Sequence, residues 1–90
     1  MKSEDWNMRQ RANNAYLQAT INEILRHFED VSLARGYTLF KQYKHIGKNI
    51  IKQMILLKNT KEEIMDEIDR NVDKLHGIYY NLRFLFKYQD

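Results

Sequence analysis

The 90-residue chain has no cysteine, no proline and only three glycines. Without cysteine, neither a disulfide nor a thiolate metal site can staple a small fold, and the composition suits a reducing compartment. Without proline, the commonest helix breaker is missing. Long apolar runs are also missing. The densest, IIKQMILL at residues 50–57, is too short and too charged to span a bilayer. The opening MKSEDWNMRQRANN is polar and has no apolar leader region. The expectation is a soluble, cytoplasmic protein.

Charge of one sign is missing locally. Residues 31–61 hold seven basic side chains and no acid, whereas residues 62–69 hold five acids and no base. A basic middle therefore runs into an acidic block, within a net charge of +3. An apolar share of 43% is too high for a disordered chain. A chain this short buries only about 60–65% of its unfolded surface. Its stability must come from good helix packing or from association.

Hydrophobic periodicity predicts three helices in one domain, over about residues 3–35, 38–58 and 61–88. Leu17, Ile21, Ile24, Phe28 and Val31 form the clearest seam of the first helix, and Gly36 is its natural left-handed stop. Leu39, Tyr43, Ile46, Ile50, Met54 and Leu57 line the second helix, flanked by Phe40 and Ile51. Gly47 inside it costs up to roughly 1 kcal/mol against alanine, which suggests a close approach by a neighbour. Thr60-Lys-Glu-Glu63 reads as a capping box opening the third helix, with Asn59 closing the second. The rival is one continuous helix from Thr38 to Tyr88. Three striped helices with two short links predict an all-α, antiparallel three-helix bundle with long, coiled-coil-like helices, associating with another chain.

The tail, GIYYNLRFLFKY at residues 77–88, fits two periods. As a helix it continues the third seam through Ile78 or Tyr79, Leu82 and Leu85, with Tyr80, Phe84 and Tyr88 projecting elsewhere. As a strand it puts Ile78, Tyr80, Leu82, Phe84, Phe86 and Tyr88 on one face, but only a second chain offers a partner strand. The helix is the preferred reading. Either way the tail carries more apolar surface than a lone bundle hides, and such a patch marks an interface. The blander reading is a tail that caps the core. The anchors expected for a protein partner, or for a homo-oligomer, are Tyr80, Phe84, Phe86 and Tyr88.

The remaining constellations are weaker. Lys41, Lys44, Lys48 and Lys52 repeat at helical spacing and make a stripe able to follow a phosphate backbone without reading sequence. This is the alternative function, unspecific nucleic-acid binding; the plain reading is a solvated face. Glu62, Glu63, Asp66, Glu67 and Asp69 follow no EF-hand spacing, and His27, His45 and His76 are scattered. No metal or other cofactor is expected. Catalysis lacks a thiol, a glycine-rich phosphate loop and convergent arginines, so no enzyme is expected.

Residues 54–73, and Glu63 to Val72 within them, resemble the core repeat of SNARE proteins. The likeness covers about a fifth of the chain. Lys61 stands where that family has glutamine or arginine at its central layer. The sequence thus points to a non-enzymatic helical interaction module, a small regulator, adaptor or assembly subunit, acting through its C-terminal surface.

Overall fold

The computed structural model describes the backbone of residues 2–86 and the side chains of residues 13–85. The protein is a bundle of three helices: α1 (Lys2–Ala34), α2 (Lys44–Leu56) and α3 (Lys61–Phe86). A short 3-10 turn, Leu39–Lys41, precedes α2. No strand occurs among the described residues, and residues 77–86 are helical.

Ion pairs fix the direction of packing. Glu23 meets Lys61 at 2.7 Å and Arg35 meets Asp73 at 2.7 Å, so α1 and α3 run parallel. Lys44 at the start of α2 meets Glu29 near the end of α1 at 3.4 Å, so α2 runs the other way. Each helix therefore lies antiparallel to its neighbour in sequence.

Local sequence explains the ends. Gly36 (φ +88°) closes α1 in a Schellman turn: Tyr37 N–H donates to the Ser32 carbonyl and Gly36 N–H to that of Leu33, both at 2.9 Å. The capping box forms as read. Glu63 N–H donates to Thr60 Oγ1, and Thr60 N–H to Glu63 Oε1, each at 3.2 Å. This separates α2 from α3. At the end of α2 the left-handed residue is Lys58 (φ 64°), whose N–H donates to the Ile55 carbonyl at 2.8 Å. Asn59 closes the turn through its side-chain amide, which donates to the Met54 carbonyl at 3.2 Å. A lysine in that conformation carries a steric cost of about 1–2 kcal/mol that glycine avoids. Lys58→Gly is therefore expected to raise stability by about 0.5–1 kcal/mol after its entropic cost, read as a higher urea midpoint.

Ile21, Ile24 and Phe28 of α1, Phe40, Ile46 and Ile51, and Ile64, Ile68, Leu75 and Tyr79 of α3 form the core. Two expectations need correction here. The second helix starts at Lys44, not Thr38, because the chain leaves helical geometry at Tyr43 (φ −129°, ψ 49°). The seam drawn through Leu39 and Tyr43 therefore does not continue in register. Ile46, Gly47 and Ile51 are the buried positions of α2, while Ile50 and Met54 are half-buried and Leu57 is exposed. Between the two tail positions left open for α3, Tyr79 is buried and Ile78 is not.

Tyr79 joins α3 to the 3-10 turn. Its hydroxyl donates to the Tyr43 carbonyl, its ring stacks on Phe40 (centroids 4.9 Å), and Phe28 meets Phe40 edge-on at 4.8 Å. Burial pushes the Tyr79 phenol well above its usual range, so it stays a donor at neutral pH. α3 itself bends at Asn71, which departs from helical values (φ −128°, ψ 28°).

Candidate interaction surfaces

The last turns of α3 run beyond the level at which α1 ends, since Arg35 is already beside Asp73. Among the described residues of this stretch, Tyr79 is the large side chain taken fully into the core. Tyr80 is 45% exposed, Phe84 53% and Leu85 63%. Tyr80 and Phe84 meet edge-on with centroids 6.2 Å apart. The Arg83 guanidinium lies 4.0 Å from the Tyr80 ring centre and 4.5 Å from that of Phe84, and its Nη2 donates to the Tyr80 hydroxyl at 3.0 Å. These contacts pre-order two aromatic rings and one cation on the outer face. Of the other expected anchors, the Phe86 side chain and all of Tyr88 lie outside the described residues.

The lysines do not make one uniform stripe. Lys41 sits on the 3-10 turn, outside α2. Lys44 is tied to Glu29. Lys48 is half-buried on α2, and Lys52 borders a groove of about 290 Å³ with Leu17, Ile21 and Ile55.

Some of the acids and histidines sit in separate structural pairs. His27 Nε2 donates to Asp69 Oδ1 at 2.8 Å. Tyr37 donates to Asp73 Oδ1 at 2.5 Å and Arg35 to Asp73 Oδ2 at 2.7 Å. Both oxygens of Asp73 therefore hold the loop after α1 against α3. The Tyr37 ring stacks on His76 at 3.7 Å. Among the described residues, no group of three or more His, Asp or Glu gathers as a metal site, and no helix is long and apolar enough to cross a membrane. Sequence reading missed this clamp because Arg35 and Tyr37 meet Asp73 only through tertiary packing.

The clamp predicts acid sensitivity. The Tyr37 hydrogen bond, then Arg35, holds the Asp73 carboxyl below its ordinary 3.8. Burial holds the His76 imidazole below 6.5, against a raising influence from Asp73. In both cases the unfolded chain takes up the proton first, so stability falls as pH falls. The His76 contribution is present above pH 6.5 and is lost below it, down through its folded value. The Asp73 contribution is lost only below about pH 4. Urea midpoints from pH 7.5 to 3 should fall in these two steps. His76→Phe should flatten the upper step, and Asp73→Asn the lower. A wild-type midpoint constant between pH 7.5 and 5 contradicts the His76 assignment.

Compared with protein-family models, curated proteins and solved structures, the chain matches none.

Proposed function

We propose that the protein is a non-enzymatic helical interaction module, a small regulator, adaptor or assembly subunit, that docks on a protein through the outer face at the end of α3. The single observation carrying this reading is that Tyr80, Phe84 and Leu85 stand open there while Tyr79 and, in part, Leu82 face the core. Aromatic rings dominate interface energies because they bury large, rigid area at little entropic cost. Arg83, held over both rings, adds a cation at the same spot, which favours an apolar partner surface bearing a carboxylate.

The test is capture of partners on immobilised protein, followed by affinity measurement with the partner purified. Tyr80→Ala and Phe84→Ala should each weaken binding by about 1–3 kcal/mol, roughly five- to 150-fold. Both sites are partly exposed and off the core, so thermal stability should change by less than about 1 kcal/mol. Unchanged affinity in both variants would remove this surface from the account.

A further inference from the structure

α2 and α3 leave between them a groove of about 620 Å³ to which α1 contributes nothing. Half-buried Ile50, Met54 and Leu82 line it. Leu57 is 76% exposed at one end, beside Glu63, and Ile78 is 41% exposed towards the other. The charges along α3 are segregated: Glu63, Asp66 and Glu67 occupy the half near Leu57, and Arg70 and Lys74 the half near Ile78. Among the described residues, Asp66, Glu67, Arg70 and Lys74 make no ion pair within the protomer. One Glu63 oxygen is used on the Thr60 amide, which leaves the other free.

This layout is self-complementary. Glu67 and Arg70 stand equally far on either side of the midpoint between residues 68 and 69, and so do Glu63 and Lys74. A two-fold axis through that midpoint sets the acidic half of one groove against the basic half of the other. The same rotation carries exposed Leu57 at one end towards Ile78 and Leu82 of the second copy. Each exposed apolar end then meets an apolar end, Glu67 and Glu63 meet Arg70 and Lys74, and Asp66 falls opposite the neutral Asn71. We infer that the α2–α3 groove binds a second copy of this chain, α3 against α3 in antiparallel register, with Glu67–Arg70 and Glu63–Lys74 pairs formed twice across the axis. Tyr80 lies roughly 200° around α3 from Ile78. The docking face proposed above therefore stays open in the dimer, and the two proposals stand independently.

Sedimentation equilibrium between about 10 μM and 1 mM, at low salt, tests it. The mass should rise from 11.0 kDa to twice that value, with weaker association in high salt. Glu67→Arg and Arg70→Glu should each weaken the dimer by about tenfold, since two pairs become repulsions. The double variant E67R/R70E should return to within about threefold of wild type, because the pairs re-form with signs exchanged. A wild-type protein still monomeric near 1 mM overturns the proposal, and so does a double variant as weak as the singles. A dimer abolished by Phe84→Ala but indifferent to both charge reversals also overturns it, while leaving the aromatic docking face standing.

Discussion

Phe40→Ala is expected to cost about 3–5 kcal/mol, a large share of the roughly 5–15 kcal/mol that holds a small domain together. Phe40 lies on a turn of only three residues, Leu39–Lys41, yet it is fully buried. Its ring meets Phe28 of α1 edge-on at 4.8 Å and stacks on Tyr79 of α3 at 4.9 Å. It also covers Gly47 of α2. Removing it empties a place where α1, α2 and α3 all meet one side chain, and the neighbours cannot collapse into the gap without shifting helices. The urea midpoint followed by circular dichroism reads the loss. A loss under about 1 kcal/mol would mean that Phe40 packs elsewhere.

The second large effect concerns the same contact from the other side. A methyl group at Gly47 would lie 2.6 Å from Phe40 Cζ and 3.2 Å from Leu25 Cδ1. Alanine would ordinarily strengthen a helix by about 1 kcal/mol here. The Phe40 ring cannot swing away, because Phe28 and Tyr79 hold it. Overpacking of about 1–3 kcal/mol should therefore win, and Gly47→Ala should be a net loss. The sign should reverse in a Phe40→Leu background, where the ring atoms that collide are gone. A double-mutant cycle should return a coupling of about 2 kcal/mol. Additive effects would show that Gly47 and Phe40 do not touch.

Much of this bundle was legible because its signals are local. Gly36, the Thr60–Glu63 box and the 3–4 spacing of Ile21, Ile24 and Phe28 act through hydrogen bonds and faces within a few residues, and each appears where the pattern placed it. Gly47 announced a close neighbour but not its identity. The start of α2 was not legible. Leu39 to Tyr43 keeps a helical pattern of apolar residues, but its backbone is instead spent on bringing Phe40 into the core and offering the Tyr43 carbonyl to Tyr79. That gain is tertiary and leaves no periodic trace. The same holds for the Asp73 clamp. The excess apolar surface of the tail was legible from composition, whereas the separation of its two faces depended on Tyr79, not Ile78, entering the core.

The central claim is that the end of α3 keeps aromatic rings in water for another molecule to cover. Solution NMR on dilute protein measures this directly, through nuclear Overhauser contacts from the Tyr80 and Phe84 rings. The account predicts ring contacts to Arg83 and to each other, and none to side chains of α1 or α2. Contacts from either ring to Phe28, Ile46 or another core residue of those helices would contradict it.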